Sequence, residues 1–274
     1  MNMSMRITFI GGGNMANALI GGLLKQGIPP DDIKVIEPLA DNRERLTATL
    51  GIACLPAADA TALDCDALVL SVKPQQMREA LAPFAGKLQN QLVISIAAGT
   101  RLGDISRWLG GHRKMVRTMP NTPALIGAGI TGLYADPSVD AEGRRQAEQV
   151  LGAVGKTLWI AEEAMMDAVT AVSGSGPAYV FYFIESLRDA ALGLGFSEEQ
   201  ARLLAIETVV GAAALAATSQ EDVSVLRQRV TSKGGTTEAA LNSLDADKVK
   251  AAFVRAIEAA DARGRELGDL LGKD

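Results

Sequence analysis

The chain has 274 residues, 48% of them apolar, and a net charge of −5. This length fits one large domain or two ordinary ones, and an acidic balance without a basic cluster argues against a nucleic-acid partner. The only histidine, His112, removes most metal sites and any Ser-His-Asp triad, and Cys54 and Cys65 are too few for a disulfide framework.

The opening residues do not read as a secretory signal, because their apolar stretch is a short strand that stops at glycines. That strand covers residues 6–10 and runs into Gly11-Gly12-Gly13, after which Asn14-Met15-Ala16 opens a helix to about residue 26. The spacing is G-x-G-x-x-A at Gly11, Gly13 and Ala16. Gly11 allows the tight turn, Gly13 lets a pyrophosphate approach the backbone, and Ala16 lets the helix pack closely on the strand. Free N–H groups at the helix start suit the phosphates. Further strands are expected over residues 34–36, 67–70, 92–96 and 115–117, with helices over 43–50, 75–84 and 102–109. This alternation predicts a Rossmann-like, doubly wound parallel sheet. Two more β segments, 130–134 and 157–160, flank a helix over 141–151. His112 lies in a polar loop and reads as a solvated loop histidine.

From residue 163 onward nearly everything reads as helix, so the domain boundary is expected between residues 162 and 163: a dinucleotide-binding domain over 1–162 and an all-α domain over 163–274. Val180, Ile184, Leu187, Ala191 and Leu194 share one helical face. Ser197 to Gln200 is a capping box that opens a helix to about residue 217. This helix is apolar nearly all round, which marks burial on several sides. A domain of this size has too few neighbours to cover it, which points to a subunit partner; the alternative is the centre of its own bundle. The 203–217 stretch carries Glu207 and a glycine, and no uninterrupted apolar run reaches the roughly 18 residues of a membrane span. The last helix, 246–271, carries a charged, solvated face.

Ligands of such sheets bind beyond the carboxyl ends of the strands. The segments there are Ser71-Val72-Lys73-Pro74, Ala97-Ala98-Gly99-Thr100, and residues 118–123 with Asn121. Lys73 is a cation for a phosphate or a substrate carboxylate. In the helical half, 172–178 and 231–238 read as loops leading into helices, whose free N–H groups suit a small carboxylate. Each also reads as a plain N-cap.

The blocks IGGGNMA, SVKPQ, SIAAGT, MPNTPA, AVTAVSGSGPAYVF and VTSKGGTTEAAL occur in this order. Together they resemble the pyrroline-5-carboxylate reductase family from about residue 6 to residue 266. The resemblance implies reduction of L-1-pyrroline-5-carboxylate to L-proline with NADPH or NADH, the final step of proline biosynthesis; Cys54 and Cys65, with no export signal, are expected as free thiols in a reducing compartment, the cytoplasm, and no metal is expected. It implies an N-terminal Rossmann-like domain and a helical C-terminal domain that dimerises and binds substrate, with dimers commonly assembled as a pentamer of dimers. On that likeness Thr237 is the catalytic residue, its hydroxyl reaching the ring nitrogen. Gly235, Thr236 and Thr237 would hold the carboxylate, and Ser173, Gly174 and Ser175 would shape the pocket. The cofactor would lie on Gly11, Gly12, Gly13, Asn14, Met15, Glu37, Val72, Lys73, Pro74, Ala97, Ala98, Gly99 and Asn121.

Several positions depart from the family pattern. Lys233 stands where many relatives have proline, and Ala58 lies near a position where some have asparagine. Glu37 ends the second strand where some relatives carry Ser or Thr. An acid there favours ribose hydroxyls over a 2′-phosphate, while Arg43 and Arg45 are positioned to compensate and the carboxylate is free to rotate away. Use of both cofactors is therefore expected. Two other classes compete. A β-hydroxyacid dehydrogenase would need a lysine acid/base, yet Lys233, in the GGTT loop, is the only lysine from 163 to 244. A non-catalytic nicotinamide-sensing protein would have no need of the blocks at 172–179 and 234–237.

Overall fold

A computed structural model describes residues 5–273, so the part of the signal-sequence reading that falls on residues 1–4 lies outside them. Two compact units emerge. One holds the residues up to Ser175 together with those from Ala260 onward, and the other spans Gly176–Ala259.

The first unit is built on a sheet ordered β3-β2-β1-β4-β5-β6-β7-β8. Its strands are β1 (Ile7–Ile10), β2 (Ile33–Ile36), β3 (Ala53–Leu55), β4 (Ala67–Leu70), β5 (Leu92–Ser95), β6 (Met115–Met119), β7 (Gly129–Ala135) and β8 (Gly155–Trp159). All neighbours pair in parallel except β6 and β7. β1, β4 and β5 are buried along their whole length, as strands covered on both faces must be. The period of two divides them between two cores. Ala67 and Val69 join Phe9, Leu19 and Leu46 on one face, whereas Leu68 and Leu70 join Met77, Phe84 and Ile105 on the other.

Helix α1 (Asn14–Lys25) buries Ala16, Leu19, Ile20 and Leu23, the spacing of one helical face. α2 (Ala40–Leu50), α3 (Met77–Leu81), α4 (Leu102–Trp108), α5 (Ala141–Gly152) and α6 (Met166–Val169) complete this unit's own helices. The edge strand β3 was not expected, since Ala53-Cys54-Leu55 is short and only half-buried. The helix expected over 75–84 is a short α-helix between 3₁₀ turns, each with a proline in its first two positions, where the missing N–H is tolerated.

The second unit is helical. α7 (Gly176–Gly193) and α8 (Glu198–Thr218) pack on each other, followed by α9 (Val223–Arg229), α10 (Thr236–Ala246) and the first part of α11 (Val249–Leu271). The capping box is present, with Gln200 N–H donating to Ser197 Oγ and Ser197 N–H to Gln200 Oε1. The chain breaks between α10 and α11 at Lys248, the one non-glycine residue with positive φ among the described residues, so the helix expected from 246 begins three residues later. Within α8 only Ala201 and Ala205 are buried, and Leu203, Val210 and Leu215 are more than half exposed. Among the described residues α8 alone is long and apolar enough to cross a membrane by length and hydropathy.

Candidate active site

β1 and β4 lie side by side at the point where the strand order reverses, and a cleft of about 700 Å³ opens beyond their carboxyl ends. This is where ligands of doubly wound sheets sit. Gly11 turns the chain at φ +100°, and a Cβ there would lie 2.8 Å from the Ser71 carbonyl oxygen. Ser71 Oγ donates to the carbonyls of Ile10 and Gly11 at 2.9 and 2.7 Å, tying the two strand ends together. A Cβ on Gly12 would meet the buried Leu46 Cδ1 at 2.5 Å, so a side chain here would require Leu46 of α2 to shift. Gly13 is different: its Cβ would point into open space, and as N-cap of α1 it offers no side-chain acceptor. The first N–H groups of α1 are thus left for an anion. These residues fit a dinucleotide pyrophosphate.

The cleft gathers Gly11, Gly12, Gly13, Glu37, Val72 and Lys73. Asn14, Met15, Pro74, Ala97, Ala98, Gly99 and Asn121 do not line it. Gly99 packs against the end of α11, where a Cβ would come within 3.2 Å of Leu271 Cδ1. Asn121 is 9% exposed and has both ends of its amide engaged. Its Oδ1 accepts the Ile130 N–H at 3.0 Å and its Nδ2 donates to the Ser173 carbonyl at 3.2 Å.

Two expectations at the adenosine end need revision. The Glu37 carboxylate is not free to rotate, because it accepts N–H groups of Gly12 and Leu39. Arg43 Nη1 donates to the carbonyls of Glu37 and Pro38, and Arg45 is exposed on α2 outside the cleft lining.

The segment 172–178 is not a loop leading into a helix. Thr170–Gly174 is a π-helical turn, and Ser175 N–H donates to the Thr170 carbonyl at 2.8 Å. Small residues suit this widened turn: a Cβ on Gly174 would lie 2.5 Å from Met119 Cε. Such bulges concentrate at functional sites. Ser173, Gly174 and Ser175 are half-buried.

The sequence pattern marks Arg117 only as the end of a strand. It is 3% exposed, and its guanidinium donates to Asp167 at 3.1 Å and Glu163 at 3.3 Å. Glu163 also accepts the Leu102 N–H at the start of α4 at 2.8 Å. No local pattern marks this cluster, since its charges come from distant segments. His112 is likewise more than a solvated loop residue. It is half-buried, its Nε2 donates to the Gln91 carbonyl at 3.0 Å, and burial holds its pKa below the usual histidine value.

In the second unit, Gly235 is the N-cap of α10 and supplies no side-chain acceptor. Gly234, at φ +73°, donates its N–H to Glu238 at 2.7 Å. Thr236 is exposed and Thr237 half-buried, and among the described residues the Thr237 hydroxyl has no hydrogen-bond partner. Lys233 is exposed. The α10 start therefore keeps free N–H groups beside a free hydroxyl, an arrangement able to hold a small carboxylate.

The family model for pyrroline-5-carboxylate reductase dimerisation matches residues 163–267, and that for NADP oxidoreductase, coenzyme F420-dependent, matches residues 6–99. The chain is 46% identical to the pyrroline-5-carboxylate reductase of Pseudomonas aeruginosa over 98% of each chain. It resembles the structure of a pyrroline-5-carboxylate reductase from Coxiella burnetii at TM-score 0.90 and 40% identity, covering 97% of this chain and 99% of that one. It also resembles the Plasmodium falciparum pyrroline carboxylate reductase with NADP bound, at TM-score 0.86 and 30% identity over 97% of this chain and 100% of the other. A sheet with an anion cradle at its switch point, a helical unit with a bare apolar helix and this likeness along nearly the whole length agree: the chain belongs to the pyrroline-5-carboxylate reductase family.

Proposed function

We propose that this chain reduces L-1-pyrroline-5-carboxylate to L-proline with NADPH or NADH, closing proline biosynthesis. The observation that carries this reading is the near-full-length identity to reductases of that name, and the free start of α10 agrees with it. The β-hydroxyacid dehydrogenase and sensor alternatives find no support in these relatives.

Bound in the cleft, the nicotinamide dinucleotide supplies the hydride. The chain's own residues hold and orient. The N–H groups of Thr236 and Thr237 take the substrate carboxylate, that of Gly235 being already given to the Ser232 carbonyl at 3.0 Å, and the Thr237 hydroxyl meets the ring nitrogen. Ser173, Gly174 and Ser175 shape the pocket. Gly11, Gly12, Gly13, Asn14, Met15 and Glu37 hold the dinucleotide, with Val72, Lys73, Pro74, Ala97, Ala98, Gly99 and Asn121 around it. A cyclic imine bound as its cation needs only hydride at carbon, so no nucleophile or metal is called for; geometry supplies the rate. In this scheme 1–162 is the dinucleotide domain and 163–274 the dimerising, substrate-binding one. Initial rates with the imine and either cofactor test the activity: oxidation of NAD(P)H should depend on the imine. A protein that binds cofactor yet shows no such dependence would sink the reading.

The helical part belongs to a homodimer, whereas a pentamer of such dimers rests on the family resemblance alone. The exposed apolar surface of α8 supports the dimer, and α8 lies inside the dimerisation match, so we read it as a subunit contact and not as a membrane span. Sedimentation at micromolar protein should show a dimer or larger species, and a monomer there would contradict the assembly. We place the enzyme in the cytoplasm, where its free Cys54 and Cys65 stay reduced.

A further inference from the structure

We propose, taking the cleft to hold a nicotinamide dinucleotide as above, that Glu37 makes this chain prefer NADH to NADPH by acting as a fixed part of the glycine loop. Glu37 directly follows β2, lines the cleft and is 6% exposed. Its Oε2 accepts the Gly12 N–H at 2.9 Å and its Oε1 accepts the Leu39 N–H at 3.0 Å. A carboxylate has about four acceptor sites, so each oxygen keeps one for a ribose hydroxyl. The 2′- and 3′-hydroxyls of NADH each carry a hydrogen to donate. A 2′-phosphate replaces one of those hydroxyl hydrogens and brings a charge of about −1.5 to −2 at pH 7.

In many proteins an acid at this position could swing aside to admit the phosphate. Here that movement would strip two backbone N–H groups of their acceptor, one of them in the anion cradle itself. An N–H left unpaired in a partly buried site is costly. The nearby cation is also committed. Arg43 Nη1 donates to the Glu37 carbonyl at 2.9 Å and to the Pro38 carbonyl at 2.7 Å. Asn42, Pro56, Ala57 and Ala58 continue the wall without positive charge, and Lys73 is the one cation among the described residues that line the cleft. It follows β4, not β2, which is the strand whose end normally meets the ribose.

Calorimetric titration of the purified full chain with NAD⁺ and NADP⁺ reads binding without turnover. The Kd for NAD⁺ should lie at least about tenfold below that for NADP⁺, as expected where a fixed carboxylate faces ribose hydroxyls. Glu37→Ser should move the ratio about tenfold or more toward NADP⁺. Asn42→Arg leaves the Glu37 hydrogen bonds in place and adds a bidentate phosphate ligand; it should lower the NADP⁺ Kd by a larger factor than it changes that of NAD⁺. Should Glu37→Ser fail to fold, Asn42→Arg carries the test by itself. NADP⁺ binding to the unaltered chain as tightly as NAD⁺ would overturn the proposal while leaving the dinucleotide reading intact. A ratio that does not move in a folded Glu37→Ser protein would overturn it too. Binding of neither dinucleotide would overturn both.

Discussion

Thr237→Ala is expected to lower kcat/KM for the imine by about 10- to 100-fold, the equivalent of a lost hydrogen bond to a charged partner worth about 1.5–3 kcal/mol. The Kd for the nicotinamide cofactor should stay unchanged. The expectation follows from the start of α10. Its N-cap, Gly235, offers no side chain, and the Thr237 hydroxyl has no acceptor among the described residues. A hydroxyl left free at a helix start that suits an anion is available to the substrate. Thr237→Ser keeps the hydroxyl and should restore most of the lost rate, which a purely packing role of the methyl group would not allow. If Thr237→Ala leaves kcat/KM where it was, the backbone alone positions the ring, and the assignment of Thr237 fails.

The second large effect is on stability. Arg117→Ala should destabilise the fold by about 3–5 kcal/mol, the usual result of removing one partner from a buried ion pair. Arg117 and Asp167 are 3% and 6% exposed, so the change leaves a carboxylate buried without its counter-charge. It also releases Glu163, which holds the N-terminal N–H of α4. Domains typically stand only about 5–15 kcal/mol above their unfolded state, so such a loss should be plain in urea unfolding. Comparisons belong at one fixed protein concentration, since assembly adds to apparent stability. Arg117→Met with Asp167→Leu removes both charges and should cost less than Arg117→Ala, because no uncompensated charge remains. A loss below about 1 kcal/mol for the single variant, the range of an exposed pair, would show that water reaches the cluster and that these ions do not hold α6 to the sheet.

What the sequence determined by itself was everything encoded by neighbours along the chain. The strand, glycine turn and helix at residues 7–25 are such a unit, because Gly11 must adopt a positive φ and Ala16 must be small. The Ser197–Gln200 cap is another, with both of its hydrogen bonds spanning three residues. The period of two in β4 and the period of a helix in α1 fixed which side chains turn inward, and so fixed the layered fold. The uncovered character of α8 was also legible, since a helix apolar on every side must find cover somewhere.

Tertiary structure decided whatever depends on groups far apart in the chain. Ser173–Ser175 looked like a loop because Gly and Ser favour loops. It is a π-turn, with Gly174 close against Met119 and the Ser173 carbonyl accepting from the Asn121 amide. Glu37 looked like a free ribose ligand, and only the approach of Gly12, 25 residues earlier, shows that its carboxylate is held. Arg117 carried no signal, as its partners lie 46 and 50 residues away. Hydrogen bonds and ion pairs of this kind form only when the sheet brings the segments together, and local periodicity holds no record of them.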